Sequence, residues 1–600
     1  MIQVPRPNPE QLFFTPTILG FAVAKDESRI AFATNFTGSY DVWAVDLDAP
    51  FPYRLTSEGQ VPHALHFDPQ GRYVLVGFDR DGDENAQLYL IPPRGGAKHP
   101  LRTHEGRRFM FCTTSKDGNR IYYASDKDNP RFLCGYVYDL DSGEERTLYE
   151  GEGGATMLVA VSDDESSWVT LTAFANTYQI AHLHRGGKRV SLTPDASAPH
   201  MVDAVHFLGD RVIFATDYEA DELYLAAYDA ETGALARIFV PEKGSLTHVA
   251  VHEASETAYA VVMRGVMDEL YRIHVPSGKA EKLDLPCDVI AQVEVGDSGR
   301  VYLLGGRDNE PGNVWILDLD GTWRPLTRIH PMGFSADDLV RAEVVHFPSF
   351  DGLELEALWF RAKPEVANGY TIVWPHGGPQ AAERRAFRKL FQYWLLHGYH
   401  VFAPNFRGST GYGSRFMRMV ERDWGDGPRK DMVASIEWLI QQGLADRDKL
   451  FLVGGSYGGY MTLLLHGRHA EWFRACVDIF GPSNLITFAK SVPDFWKPMM
   501  KQWLGDPDDP ADRERLIQDS PITYLDGMTK PMLVIQGAND PRVVKAESDQ
   551  IVQALRDKGR EVEYIVFEDE GHGFMKLENE LEAYRRTVEF LDRHRAAGAP

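Results

Sequence analysis

From Ser28 to Gly333 the chain alternates apolar and polar positions in short runs broken by Asp/Gly turns, and similar strand pairs return about every 40 to 45 residues. RIAFATN from Arg29 precedes YDVWAVD, RYVLVGF from Arg72 precedes AQLYLIP, and RVYLLGG from Arg300 precedes NVWILDL. Each unit follows one plan: an inner strand, a turn of the D-x-x-G kind, a strand rich in β-branched and aromatic residues, a polar loop, a third strand, and a short fourth strand such as YRLT or RPLT. A four-stranded unit cannot bury both of its faces alone, whereas about seven set radially cover one another, so residues 28–335 are expected to form a β-propeller of about seven blades. A generic β-sandwich is set aside because the spacing persists over about 300 residues.

At Ala336 the period changes. HFPSFDGLELEALWFRAK and the run YTIVWPHGGP lead into helical segments alternating with the apolar strands YHVFAPNF, LFLVGGS, ACVDIFG, PMLVIQG and EVEYIVFE. Such alternation specifies a doubly wound, mostly parallel sheet with helices on both faces, here an α/β-hydrolase domain over residues 336–600. Residues 1–27 form an N-terminal segment expected to pack on the hydrolase side.

Composition narrows the class without choosing the activity. Hydrophobic residues at 44% and charged residues at 25% are those of a globular protein, and the net charge of -24 argues against nucleic-acid and anionic-membrane partners. No apolar run is long enough to span a bilayer, and the N-terminus lacks the pattern of a secretory signal, so a cytoplasmic protein is expected. Cys112, Cys134, Cys287 and Cys476 show no C-x-x-C spacing, which suggests free, mostly buried thiols rather than disulfides or a zinc site. His466 and His469 read as packing or capping residues, and Asp506 to Pro510 as a surface turn rather than a calcium loop. No metal and no cofactor are implied.

The stretch LFLVGGSYGGYMT, Leu450 to Thr462, carries the chemistry. It reads as strand, sharp turn and helix with Ser456 at the tip, and Gly454 and Gly458 stand where a Cβ would bring strand and helix into collision. A serine hydroxyl needs a base to take its proton. Asp540 follows the strand from Met532, and His572 follows the strand from Val562. In a parallel sheet these two loops share an edge with the Ser456 turn, so the three side chains can meet. The Tyr457 amide opens the next helix, and Gly378 in Trp374-Pro375-His376-Gly377-Gly378-Pro379 is placed to supply a second oxyanion donor.

These residues resemble the prolyl oligopeptidase family of serine peptidases, and most of all its acylaminoacyl-peptidase branch. The matching motifs are His376 to Pro379, Asn405-Phe406-Arg407-Gly408-Ser409-Thr410-Gly411-Tyr412-Gly413, Trp424-Gly425, Asp431, Gly454 to Tyr460, Asn539 to Val543, and Gly571-His572-Gly573-Phe574. The resemblance implies catalytic Ser456, Asp540 and His572, an oxyanion hole at Tyr457 and Gly378, and substrate binding by Arg542. A structural alternative for Arg542 is an ion pair with a carboxylate such as Glu547. Among Phe480, Phe488, Phe495, Trp496 and Trp503, the resemblance places Phe488, Phe495 and Trp496 at an apolar P1 pocket. Glu144-Glu145, the only candidate for the paired glutamates that grip a free N-terminus in dipeptidyl-peptidase relatives, reads as a solvated turn. The expected activity is hydrolysis of short peptides through an acyl-enzyme, of acylaminoacyl-peptidase or oligopeptidase type, by a homo-oligomer. Dipeptidyl-peptidase-like or carboxypeptidase-like release, esterase or amidase action, and a binding protein with a vestigial hydrolase half are the alternatives.

Overall fold

The second strand of each repeat is apolar on both faces and is buried along nearly its whole length, as in Arg29–Thr34, Val74–Phe78, Arg120–Ser125 and Arg211–Thr216. The fourth strands, such as Ala49–Arg54 and Lys279–Leu283, are mostly exposed. This gradient sets each sheet edge-outward in a ring. In the computed structural model, which describes residues 7–595, seven four-stranded antiparallel sheets span residues 18–54, 62–102, 109–150, 155–191, 202–239, 245–283 and 289–325.

The first blade begins earlier than residue 28. Its inner strand is Ile18–Val23, because the D-x-x-G-type turn lies between the first and second strands of a blade, and counting from the strand after the turn leaves ILGFAV outside. Neighbouring blades bury a cluster of side chains between them, for example Ile213, Leu225, Val262 and Ile273 between blades 5 and 6. Every blade is built from four consecutive strands, so no strand is shared across the junction of blades 7 and 1. Side chains close that seam: Phe21 and Phe32 pack with Tyr302 and Val314, the Gln292 amide exchanges two hydrogen bonds with the Phe21 backbone at 2.9 and 2.7 Å, and Tyr302 donates to Glu27 at 2.7 Å.

The second domain is an eight-stranded sheet in the order Glu343–Pro348, Glu354–Phe360, His400–Asn405, Thr371–Val373, Leu450–Gly455, Cys476–Ile479, Met532–Gly537, Val562–Phe567. The first two strands are antiparallel, and the strands from His400–Asn405 onward run parallel. Helices Lys389–Leu396 and Leu577–Arg593 cover one face, while Gly427–Gln441 and Tyr457–His469 cover the other. A short 3₁₀ helix, Pro9–Phe14, drives Leu12 and Phe13 into the first of these layers, where the Phe13 ring lies 4.9 Å from Tyr393 and 5.7 Å from Tyr584. Burial of such a side chain is worth about 1.5–3 kcal/mol. Glu10 adds an ion pair to Arg585 at 2.7 Å.

The domains are fastened by arginines of the hydrolase reaching buried carboxylates at the rim of the propeller. Arg385 and Arg341 meet Asp308 at 3.1 and 3.0 Å, Arg418 meets Asp217 at 3.0 Å, and Arg384 meets Asp268. The carboxylates are fully or almost fully buried, so removing either partner strands a charge. Among the described residues no helix is long and apolar enough to cross a membrane.

Candidate active site

Ser456 sits between the strand Leu450–Gly455 and the helix Tyr457–His469 with φ 58° and ψ −123°, a region that side-chain-bearing residues avoid. The turn is held by contacts that only glycine allows. A Cβ on Gly454 would lie 2.2 Å from the Gly458 carbonyl oxygen, and one on Gly458 would lie 2.1 Å from that of Pro375. The strained turn lifts the hydroxyl clear of the sheet.

The loops after Met532–Gly537 and Val562–Phe567 bring Asp540 and His572 to it. His572 Nε2 lies 2.9 Å from Ser456 Oγ, and His572 Nδ1 lies 2.6 Å from Asp540 Oδ2. With the ring proton on Nδ1, the imidazole donates to Asp540 and accepts from the serine. Asp540, itself buried, accepts the amides of Arg542 and Val543 at 2.9 and 3.0 Å on its other oxygen, which fixes the carboxylate and satisfies its charge.

The Tyr457 amide opens the helix, where it lacks an intrahelical acceptor and carries the positive end of the helix dipole. Gly378 faces the same small cavity as Ser456 and Tyr457. Its loop is braced by His376, fully buried, whose ring stacks on Phe406 at 4.2 Å and whose Nε2 contacts Ser409 Oγ at 2.8 Å. Burial pushes the His376 pKa down to about 4, so the ring is neutral at pH 7. Asn405 to Ser409 thus serves the loop that bears Gly378, and Arg407 ties this turn to Asp431 at 2.8 Å.

Two cavities meet at Ser456, His572 and Arg542. The smaller, about 110 Å³, is walled by Trp424, Phe488, Trp496, Trp503 and Val543 and accommodates an apolar side chain. Phe495 lies outside this lining and stacks under the Arg108 guanidinium of the propeller at 4.4 Å. The larger cavity, about 630 Å³, lies between blades 1 and 7 and the hydrolase.

The propeller also reaches the site. Loop 79–85 of blade 2, sequence DRDGDEN, lies against the loops of Asp540 and His572, and Asp81, Gly82 and Glu84 all take positive φ. Arg542 Nε donates to Glu84 Oε1 at 2.6 Å, Asn539 to the Asp81 carbonyl at 3.2 Å, and Lys576 to Asp81 at 2.9 Å. Arg542 therefore pairs with Glu84 and not with Glu547, whose carboxylate is taken by the amides of Ser483 and Asn484 at 3.0 and 2.9 Å. Nothing in the sequence around Glu84 pointed to this. Glu145 is likewise no solvated turn residue: it is half-buried in an outer strand, bonded to Tyr123, Arg102 and Lys127. His466 accepts the Lys530 amide at 3.0 Å, His469 contacts Arg429 at 2.7 Å, and Asp509 caps the helix Pro510–Asp519.

An α/β-hydrolase sheet under a propeller, with a hydroxyl, an imidazole and a carboxylate in this geometry, defines a serine hydrolase. The chain belongs to the prolyl oligopeptidase family, whose model matches residues 385–597. It is 42% identical to dipeptidyl aminopeptidase BIII of Pseudoxanthomonas mexicana over 97% of this chain and 87% of that protein. It is 26% identical to the acylamino-acid-releasing enzyme of Homo sapiens over 41% of this chain and 34% of that one. Among solved structures, the acylaminoacyl peptidase of Pyrococcus horikoshii superposes with a TM-score of 0.76 at 19% identity, covering 99% of both chains.

Proposed function

We propose that this serine peptidase releases dipeptides from the free N-terminus of short peptides. His572 Nε2 takes the Ser456 proton as Oγ adds to the scissile carbonyl, the amides of Tyr457 and Gly378 receive the oxyanion, and Asp540 holds the imidazolium. The C–N bond breaks as His572 returns the proton to the leaving amine. A water then loses its proton to His572 and attacks the ester, freeing the dipeptide and restoring Ser456. The P1 side chain enters the pocket walled by Phe488 and Trp496.

The observation that carries dipeptide release is Glu84, a carboxylate brought from the propeller to the arginine beside the P1 pocket. It uses one oxygen on Arg542, which leaves the other to take a substrate ammonium, while the arginine's Nη groups would bind a peptide carbonyl. The resemblance over nearly the whole chain to a protein named dipeptidyl aminopeptidase supports the same reading. A second reading, release of N-acylated residues, is favoured by the His376 to Pro379 loop. The four unpaired cysteines suit a reducing, cytoplasmic setting.

Matched peptides with free and N-acetylated ends, analysed by mass spectrometry, test the reading. Dipeptides should leave the free peptide, and Glu84→Gln should lower kcat/KM on it by roughly ten- to a hundredfold while acting less on the acetylated one. Equal cleavage of the acetylated peptide, with loss of one acylated residue, would replace this reading by the second.

A further inference from the structure

The larger cavity opens from Ser456 beside the P1 pocket and shares Ser456, His572 and Arg542 with it. Its catalytic wall is Gly377, Gly455, Phe480 and His572, whereas Gly378 and Tyr457 face the smaller one. Ser456 and His572 line both cavities, so with the P1 side chain in the smaller one the larger is left to receive the departing peptide. Its walls near the serine are apolar, but beyond them lies a buried cation. Lys389, at the start of helix Lys389–Leu396, has a side chain only 9% exposed and lines the cavity together with Glu580.

The ammonium of Lys389 is poorly satisfied for its burial. It donates to the Phe13 carbonyl at 3.3 Å, while Glu580 Oε2 stands 3.8 Å away, outside hydrogen-bond range. A buried ammonium has three donors, and leaving them unused is costly. Burial raises the Glu580 pKa against the pull of Lys389 and lowers that of Lys389, so a further anion in the cavity would favour the charged ammonium. The neighbouring Arg388, which also lines the cavity, pairs with Glu383 at 2.5 Å through its Nε and adds positive potential there.

We propose that Lys389 is the anchor for the C-terminal carboxylate of the leaving peptide, making the cavity a site for short fragments with a free C-terminus. An apolar wall ending in one ammonium suits a peptide whose side chains rest on Phe480 and Phe387 and whose carboxylate takes the vacant donors. The assignment concerns the departing half of the substrate, and it holds whichever acyl half the enzyme accepts.

The test is a series of peptides with one to four residues after the scissile bond, each made as the free acid and as the C-terminal amide. The quantity read is the acid-to-amide ratio of kcat/KM within one enzyme preparation, so that any general loss of activity in a variant cancels. At one length the wild type should favour the acid by roughly ten- to a hundredfold, the value of one charge-assisted hydrogen bond. Lys389→Gln should bring that ratio close to one, and Lys389→Arg should keep much of it. A wild-type ratio near one at every length, a preference for amides, or a ratio that survives Lys389→Gln would each overturn the assignment. Mass spectrometry of the products reports the cleaved bond separately, so an error about dipeptide release would show as a different acyl fragment with the ratio still measurable.

Discussion

Asp478 carries a carboxyl group with no place for its charge. It is fully buried beneath the Ser456 turn, accepts one hydrogen bond from the Gly481 amide at 2.9 Å, and has its other oxygen unpartnered. Burial pushes its pKa up to about 8, so the folded protein holds a proton there that the unfolded chain releases near the ordinary value of 3.8. The sign follows from the native state binding the proton more tightly: stability from this group is full below the unfolded value and is lost as pH rises through the folded one. Asp478→Asn should therefore gain on the wild type between about pH 4 and 8, by up to about 1.4 kcal/mol per pH unit, and then level off. Denaturant melts at several pH values check it, and a gap independent of pH would show the carboxyl to be charged in the fold. Ser456→Ala should keep the fold and remove nearly all hydrolysis, and a fluorophosphonate probe should label the wild type at Ser456 alone. Labelling at another serine would move the nucleophile. The sequence exposed Ser456, Asp540 and His572 because each follows an apolar strand in a glycine-marked turn. It misplaced Phe495, which shares its turn with Trp496 yet points to Arg108, since adjacent residues of a helical turn face different directions.

Between the domains, a backbone-to-backbone contact in the active region is made by two glycines. A Cβ on Gly82 would lie 2.5 Å from the Gly571 nitrogen, and one on Gly571 would lie 2.1 Å from the Gly82 carbonyl oxygen. The blade 2 loop and the loop of His572 thus touch backbone to backbone, with Glu84–Arg542 and Asp81–Lys576 on either side. Gly571→Ala should push the imidazole away from Ser456, and a displacement of about 1 Å at reacting groups costs about a hundredfold in rate. Gly82→Ala, at φ +79°, should act in the same direction from the other domain. Steady-state kinetics beside thermal melts separate this from unfolding, and full activity in both variants would mean that the loops yield independently. The contact was not legible in the chain. DRDGDEN reads as an ordinary acidic turn, and its partner Arg542 lies 458 residues away in sequence. The blade repeat was legible because it recurs locally, whereas the pairing of one particular turn with the hydrolase depends on how the whole ring is set.

Over the whole molecule, Ser456 and His572 look into a cavity lined by both the propeller and the hydrolase, so access is expected to be limited by size. Peptides should be turned over, while a native globular protein of ordinary size should be spared until it is unfolded. Incubating one protein in native and in reduced, denatured form and following fragments by mass spectrometry checks this, and equal cleavage of the two would show that the ring does not gate. The number of blades and the change to an α/β sheet could be read from periodicity, because each depends on patterns within a few tens of residues. The manner of closing the ring could not, since a shared strand and a side-chain seam leave the same repeat. That seam bears on how the protein is made. With four consecutive strands in every blade, each sheet has all of its partners once its last strand has left the ribosome, and none waits for the far end of the chain. The blades can be completed one after another during synthesis, and only the hydrolase, which needs both the helix Pro9–Phe14 and the helix Leu577–Arg593, must wait until that late helix has been made.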